Sequence, residues 1–275
     1  MKMPSLSTTA AKVMKVCNSP QTSANDINRV ISLDPVLTAN VLKLINSAYY
    51  SLGDHVTSLT RAIIILGVNT IKNLALSTAV LGTISKAKKT PSMDALWAHS
   101  ILTGVAAKHI AMLAQVPHTL REMYFVSGLL HDLGKIPLIQ CFPKEYDKVI
   151  EASTRKNLTM NRSEKIIFGL NHTMVGRVIV KKWRLGSPIK DVILFHHHPE
   201  KAEAEHQRIV RIVALANIFS TLIHEDFLNA VEPNDTFLKD LLTSIGISWQ
   251  SLAEEKDAIL EEIDDAKVFL QITQK

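Results

Sequence analysis

Cysteine, glycine and proline are scarce in this sequence. Cys17 and Cys141 are its only cysteines and lie far apart, in no C-x-x-C pair, which excludes a disulfide framework and a zinc knuckle. We expect both thiols to be buried and structural. The ten glycines and ten prolines among 275 residues separate apolar segments with helical spacing, not the short alternating segments of a β fold. The sequence therefore predicts an all-α protein.

Long apolar runs are also missing. The longest, such as Ala62 to Leu66, fall far short of the roughly 20 residues that span a bilayer. The N-terminus, Met1 to Ser5, soon meets polar residues and lacks the apolar region of a signal peptide. We therefore expect no membrane contact and a cytoplasmic location.

Charge is not strongly biased to either sign. An apolar fraction of 47%, a charged fraction of 21% and a net charge of +5 are ordinary for a folded globular protein. The densest basic clusters are Lys86 to Lys89 and Lys181 to Arg184, without interleaved aromatic residues or a recognisable reading helix. We expect solvent-exposed faces there and do not expect nucleic-acid binding.

Capping residues divide the N-terminal third of the chain into helices. Ser23 and Asp26 form a capping-box pattern, and Asp34 precedes Pro35 at the first position of a second helix. A third helix is predicted to end at Gly67, and a fourth to follow it. These helices predict an N-terminal bundle.

A lysine-rich segment, Lys86 to Thr90, interrupts the apolar periodicity and is closed by Pro91. We place a boundary there and predict an N-terminal subdomain at residues 1–88, a second helical subdomain at 89–230 and a helical tail at 231–275. Because the connection is short, the first two are expected to pack directly on each other.

Five helices are predicted in the second subdomain. They are roughly Met93 to Gln115, Leu120 to Leu133, Arg162 to Trp183, Pro188 to His197 and His206 to Ile223. Thr119 is expected to cap one of them, and Gly134 and Gly186 to end two. After Pro233, the tail is expected to hold one or two amphipathic helices.

Each of these five helices carries a residue of metal-ligand type on its apolar stripe. The residues are His99, His131 with Asp132, His172, His196 with His197, and Asn217. A single buried histidine is usually a hydrogen-bonded packing residue, but several buried imidazoles without partners are costly. Neutral imidazoles with a carboxylate suit zinc, iron, nickel or manganese. The pattern therefore indicates a metal site.

The order of these residues resembles the HD superfamily of metal-dependent phosphohydrolases, and the stretch Leu130 to Lys135 is typical of its HD-GYP members. The finer resemblance is to the HDOD family, the HD-related output domains of bacterial signalling proteins. It rests on the stretches Asp34 to Ala39, Asn46 to Tyr50, Ala62 to Gly67 and His196 to Pro199. It covers roughly residues 5 to 225 and implies an HD-like helical bundle with an additional N-terminal helical bundle packed against it.

Three departures from the family pattern bear on activity. Asn217 stands where HD enzymes close their site with an aspartate, and Ala95 stands where some HD-GYP proteins have a glutamate. No Gly-Tyr-Pro loop follows the paired histidines, since His198 leads into a charged linker. The resemblance therefore implies a partial metal site and disfavours a cyclic-dinucleotide hydrolase.

Two functions follow from the resemblance. The first is a regulatory signalling domain with protein partners, in which the divalent metal is iron, manganese, nickel or zinc and its occupancy is partial or nil. The second is a metal-dependent phosphohydrolase acting on a phosphate ester or nucleotide, so that a small phosphorylated molecule is a candidate ligand. Asp132 would then be catalytic, and Lys135 would neutralise charge on the phosphate oxygens. Alternatively, Lys135 is an ordinary cation at a helix C-terminus.

Overall fold

The computed structural model of the protein describes residues 8–19, 21–84, 90–156, 158–224 and 236–271. Within these ranges the chain forms helices and no β-strand, which confirms the predicted all-α fold. The α-helices are α1 (Thr8–Cys17), α2 (Ala24–Ser32), α3 (Pro35–Ile45), α4 (Leu59–Ile84), α5 (Pro91–Leu113), α6 (His118–Leu130), α7 (Lys135–Cys141), α8 (Pro143–Lys156), α9 (Met160–Phe168), α10 (His172–Trp183), α11 (Ile189–Phe195), α12 (Gln207–His224), α13 (Thr236–Ile245), α14 (Trp249–Glu254), α15 (Lys256–Ala266) and α16 (Val268–Gln271).

The N-terminal helices begin where their capping residues predict. The Ser23 side chain accepts a hydrogen bond from the Asp26 backbone, and Asp26 accepts one from the Ser23 backbone, so both bonds of the capping box are present. Asp34 caps α3, whose first residue is Pro35. Helix α4 is broken at Gly67, whose φ of 82° and ψ of 159° are not helical. The predicted end of a helix at this glycine is therefore confirmed.

The predicted helix from Arg162 to Trp183 is wrong, because two helices occupy this stretch. Helix α9 ends at Gly169, which takes a left-handed φ of 72°, and the side chain of Asn171 caps the start of α10. Only a few residues separate the two helices. The helical spacing of apolar residues in α9 therefore continues almost unbroken into α10, and the sequence pattern does not show the turn between them. The turn places His172 in the first position of α10, where its backbone N–H needs a partner outside the helix.

Three predicted helix ends near the site are also wrong. Helix α6 begins after Pro117 with no side-chain cap, so Thr119 does not cap it. Gly134 does not end α6 but precedes α7 with an ordinary φ of −70°, and a Cβ there would collide with the carbonyl oxygen of His172. Helix α10 ends at Arg184 in the left-handed conformation, before Gly186. Gly134 is therefore required for close packing of α7 against α10.

Helices α5 and α6 form the centre of the molecule. They pack on each other and on α12, α4 packs on α6, and α15 packs on α5. We refer to α1–α4 as the N-terminal set and to α5–α12 as the central set. Buried apolar residues of both sets, and of α13–α16, belong to one hydrophobic core. The two sets are therefore in direct contact, as predicted.

Several predicted features lie partly outside the described residues. Residues 85–89, which include most of the lysine-rich boundary, are not described, and neither are residues 225–235 with Pro233. The division at 88 and 230 therefore stays a prediction. In the part of the tail that the structure describes, residues 236–271, four helices, α13–α16, are present instead of one or two. Helices α7 and α8 were also not predicted; α8 is largely polar and exposed.

Two expectations about exposure can be compared with the structure, one for the cysteines and one for the basic cluster Lys181 to Arg184. Cys141 is exposed and Cys17 is half-buried, so the expectation that both thiols are buried is wrong for Cys141, which lies at the end of short helix α7. Lys181, Lys182 and Arg184 are exposed, as expected.

One described helix is long and apolar enough, by length and composition, to cross a membrane. It spans Leu59–Thr83, and 56% of its most apolar stretch is buried against other helices. No long unbroken apolar run marks this helix in the sequence, because small polar residues interrupt its apolar ones. A single helix of this kind is weak evidence for a membrane span, since core helices of globular proteins have the same properties.

Candidate metal centre

The predicted histidine and aspartate ligands converge from four helices of the central set. His99 comes from the middle of α5, His131 and Asp132 follow the end of α6, and His172 begins α10. His196 and His197 directly follow α11. The ligand atoms of His172, His196 and His197 lie within 4.8 Å of one another, and so do those of His99, His131 and Asp132. The sequence prediction that these side chains meet in one place is therefore confirmed.

Asp132 lies between the two groups of ligands. Its Oδ1 is 3.3 Å from Nε2 of His172 and 3.8 Å from Nε2 of His196. Its Oδ2 is 3.2 Å from Nε2 of His131 and 3.8 Å from Nε2 of His99. The carboxylate is 2% exposed. One oxygen therefore faces each group of histidines.

Hydrogen bonds on the far side of the rings fix the tautomers of three histidines. Nδ1 of His131 lies 2.7 Å from the carbonyl oxygen of Gly128, and Nδ1 of His196 lies 2.9 Å from that of Val192. Nδ1 of His172 lies 2.6 Å from Oε2 of Glu164. Because a carbonyl or carboxylate oxygen can only accept, each Nδ1 carries the proton. Each neutral ring then presents an unprotonated Nε2 to the centre of the site. We call its ligand-type residues, His99, His131, Asp132, His172, His196 and His197, the cluster.

These unprotonated nitrogens face other electron pairs. The Nε2 atoms of His172 and His196 lie 3.2 Å apart, although neither has a proton to share. Nε2 of His131 and Oδ1 of Asp132 are buried and have no hydrogen-bond partner among the described residues. A cation coordinated by these atoms removes the repulsion and satisfies the unpaired groups. The donor set therefore fits a metal ion.

Burial holds the pKa of three of these histidines below its ordinary value. Burial first, and nearby histidines second, lower the pKa of His99 to about 3 and that of His197 to about 2. The pKa of His196 is also well below its usual value, mainly because the ring is buried. Burial raises the pKa of Asp132, but His131 and Lys135 outweigh it and leave the pKa well below the ordinary range. Neutral imidazoles around an ionised carboxylate are the form that binds metal.

Two predicted residues, Asn217 and Lys135, contact cluster residues on the Oδ2 side of Asp132. Oδ1 of Asn217, on α12, lies 2.9 Å from Nε2 of His99. Lys135 donates from Nζ to Oδ2 of Asp132 at 2.5 Å. Lys135 is the first residue of α7, so the alternative of a cation at a helix C-terminus is wrong. The helix dipole disfavours a cation at this end, and the contact with Asp132 compensates for it.

Glu164 is a site residue that the sequence analysis missed. It is fully buried on α9, and its Oε2 accepts from both the ring and the backbone N–H of His172, at 2.6 and 2.7 Å. Tyr146 donates to its other oxygen at 3.3 Å. The predicted single helix from Arg162 to Trp183 concealed this contact. The turn at Gly169 lets α9 fold back on the start of α10, and no local sequence signal marks the pairing.

A second group of ligand-type residues lies outside the cluster. Asp191, Glu203 and His206 also bring their atoms within 4.8 Å of one another. Lys190 lies among them, with Nζ 2.8 Å from Glu203 and 3.4 Å from Asp191, and His206 Nδ1 lies 2.8 Å from Asp191. The lysine already supplies the cation, so these residues form a salt-bridge network.

The chain is similar to proteins of one family in sequence and in structure. A curated relative from Treponema pallidum (strain Nichols), an uncharacterized protein, is 25% identical over 244 residues. The match covers 88% of this chain and 45% of the relative, so the chain spans about half the relative's length. A solved HDOD domain protein of unknown function from Geobacter sulfurreducens is 26% identical with a TM-score of 0.78, over 97% of this chain and 93% of that one.

Two further solved structures share the fold. A candidate phosphohydrolase from Shewanella amazonensis SB2B has a TM-score of 0.74 at 22% identity, over 98% of this chain and 95% of that one. A candidate signal transduction protein from Marinobacter aquaeolei VT8 has a TM-score of 0.77 at 20% identity, over 99% of this chain and 60% of that one. The HDOD domain model matches residues 3–199, well over half of the sequence, and the chain therefore belongs to the HDOD family.

Proposed function

We propose that this chain is a regulatory signalling domain whose histidine cluster holds one divalent transition metal ion and performs little or no hydrolysis. The observation that carries the proposal is that the unprotonated Nε2 atoms of His131, His172 and His196 all face Asp132, with those of His172 and His196 only 3.2 Å apart. Such an arrangement is costly unless a cation is present. Membership of the HDOD family supports the regulatory role.

The two sides of Asp132 differ in their capacity for metal. On the Oδ1 side, His172 and His196 face an oxygen that no described residue bonds, and His197 lies beside His172. On the Oδ2 side, the Lys135 ammonium already binds the oxygen, and His99 is bonded to Asn217. A second ion there must compete with a lysine and lacks an anionic ligand from α12. We therefore expect one ion on the Oδ1 side and a weak or empty second position.

The ligand chemistry limits which metals fit. Several imidazoles and one carboxylate suit iron, manganese, nickel or zinc more than calcium or magnesium, which prefer oxygen ligands. Glu164 would hold the His172 ring in the ligating tautomer. A protein partner belongs to the regulatory proposal. We propose no role in membrane or nucleic-acid binding.

Metal analysis of the untagged protein, purified without chelator, tests the proposal. We expect at most one equivalent of a transition metal, lost in His172→Ala and His196→Ala. His118→Ala is the matched control, because His118 is exposed at the start of α6 and outside the cluster. Equal metal content in the cluster variants and the control, with the fold intact by circular dichroism, would refute the metal site.

A phosphohydrolase is the second candidate, favoured by the position of Asp132 between two groups of ligands and by Lys135 beside it. A bound metal would supply an activated water of lowered pKa. In that case Lys135 would hold the Asp132 carboxylate and meet a phosphate oxygen. Robust phosphodiesterase or phosphatase turnover with manganese, iron or nickel, abolished in both His131→Ala and Asp132→Ala, would reject the regulatory proposal in favour of this one.

A further inference from the structure

A second candidate site lies between the N-terminal set and the central set. It is a cavity of about 370 Å³ whose walls come from α1, α4, α6 and α12 and from the segment 186–189 that leads into α11. None of the cluster residues lines it. Its volume is in the range of small-molecule sites in proteins. The cavity therefore has room for a ligand of its own, independent of the metal.

Two buried polar side chains line the cavity without partners. Asn73 on α4 is 4% exposed and Tyr124 on α6 is 9% exposed. Neither the Asn73 amide nor the Tyr124 hydroxyl forms a hydrogen bond with any residue that the structure describes. These unbonded polar atoms are not fully buried and so remain accessible from the cavity. Both groups are therefore available to a molecule in the cavity.

Two cations line the same cavity with their charge unpaired. Lys72 donates to the carbonyl oxygen of Ser19 at 3.4 Å, and Arg208 donates to that of Ala114 at 2.5 Å, but neither forms an ion pair with a described residue. The carboxylate that lines the cavity, Glu205, is 76% exposed and lies 3.5 Å from the His206 ring. The cavity therefore favours an anion.

Apolar side chains also line the cavity, among polar ones such as Asn18, Asn69 and Thr119. Leu76 comes from α4, Met123 from α6 and Ile209 from α12, and Pro188 and Ile189 lie beside them. We propose that the cavity binds a small organic anion with an apolar body. Lys72 and Arg208 hold its charged group, and Asn73 and Tyr124 pair with its other polar atoms. Such a ligand bridges the two helical sets, and it needs neither the metal nor catalysis.

A pair of fluorescent probes tests this site. 8-Anilinonaphthalene-1-sulfonate carries an anionic group on an apolar body, and N-phenyl-1-naphthylamine has the same rings without the charge. Each is titrated into the full chain and into Lys72→Met, Arg208→Met and Lys148→Met. The last variant is the matched control, because Lys148 is exposed on α8, away from the cavity. Leu76→Phe, which narrows the cavity, completes the set.

The sulfonate is expected to bind saturably to one site. Lys72→Met and Arg208→Met should each raise its dissociation constant about ten-fold, as expected for loss of a charge-assisted hydrogen bond. They should leave the binding of the uncharged probe unchanged, and Lys148→Met should change neither. Leu76→Phe should weaken both probes. The proposal is overturned by the absence of saturable sulfonate binding, by unchanged affinity in both cation variants, or by equal losses for the two probes. The cation variants alter exposed or half-buried side chains, so this outcome does not depend on Leu76→Phe folding.

Discussion

At the residue scale, the position of each histidine on its helix decides how its tautomer is fixed. His131 and His196 follow the last turns of α6 and α11, where the carbonyl oxygens of Gly128 and Val192 accept from both the backbone N–H and Nδ1 of the histidine that follows. His172 begins a helix, where no such carbonyl is free, so it takes Glu164 from α9. The first two arrangements can be predicted from helix ends. The third requires the fold, which is why Glu164 was missed.

Asn217 is the residue at which a change of charge should be most informative. An aspartate there would add an anionic ligand beside His99 but would place a half-buried second carboxylate near Asp132. We expect Asn217→Asp to bind transition metal about ten-fold more tightly than the wild type, which corresponds to a binding free energy more favourable by ~1.4 kcal/mol. We expect its metal-free form to be less stable than the metal-free wild type. Calorimetric metal titration and denaturation with and without metal measure the two effects. Asn25→Asp adds the same charge on exposed α2 and should change neither; equal metal affinity in all three proteins would contradict the explanation.

At the element scale, the sequence predicts helices well where a cap or a break has a local cause. Ser23, Asp34 and Gly67 act within a few residues of themselves, and all three predictions are confirmed. Gly134 acts through a distant contact, with the backbone of His172, and its role could not be read locally. The same holds for the cluster. Its members could be predicted from the apolar stripes of their helices, whereas the hydrogen bond of Glu164 on α9 to His172 could not.

The break in α4 allows a test of backbone conformation alone. Gly67 has φ of 82° and ψ of 159°, a region nearly closed to other residues, while a Cβ at this position would meet nothing within 4 Å. We expect Gly67→Ala to lower the free energy of unfolding by about 1–3 kcal/mol through backbone strain. Gly53→Ala is the control, because it has equal space and no positive φ. Urea denaturation of the two variants measures the difference; equal stability would show that the helix break relaxes.

At the scale of the whole molecule, partly buried polar contacts join the N-terminal set, the central set and the tail. Tyr50, just after α3, donates to Glu122 on α6 at 2.7 Å. Lys108 on α5 pairs with Glu262 on α15 at 2.6 Å. His109 lies between Glu262 and Glu255, at 2.8 and 2.7 Å. Burial lowers the pKa of His109, but its bonds to these glutamates outweigh burial and leave the pKa above its ordinary value. The tail is therefore fixed to α5 by charge as well as by apolar contact.

Glu122 makes the stability of this assembly depend on pH. Burial raises its pKa to about 7, although Tyr50 and Lys108 act in the opposite direction, and Glu262 raises it further. A carboxyl whose pKa is higher in the folded state than in the unfolded state binds its proton more tightly when folded. Its contribution to stability is full below the unfolded pKa, 4.5, and is lost as pH rises through about 7. His109 also has a raised pKa, so its contribution to stability is likewise lost as pH rises above the ordinary histidine pKa. The pH dependence of the wild type alone therefore does not separate Glu122 from His109.

Glu122→Gln isolates the carboxyl, because the amide oxygen can still accept from Tyr50 and carries no proton that titrates. We expect the variant to be close to the wild type in stability at pH 5 and more stable than it at pH 8, by roughly 3 kcal/mol as the upper limit set by the shift. Urea denaturation of both proteins at the two pH values gives this difference, and the His109 contribution cancels because both proteins contain it. Glu151→Gln, on exposed α8 and paired with Arg155, should follow the wild type at both pH values. A difference between Glu122→Gln and the wild type that stays constant from pH 5 to pH 8 would show that Glu122 is already ionised in the folded protein, held by Lys108 despite its burial.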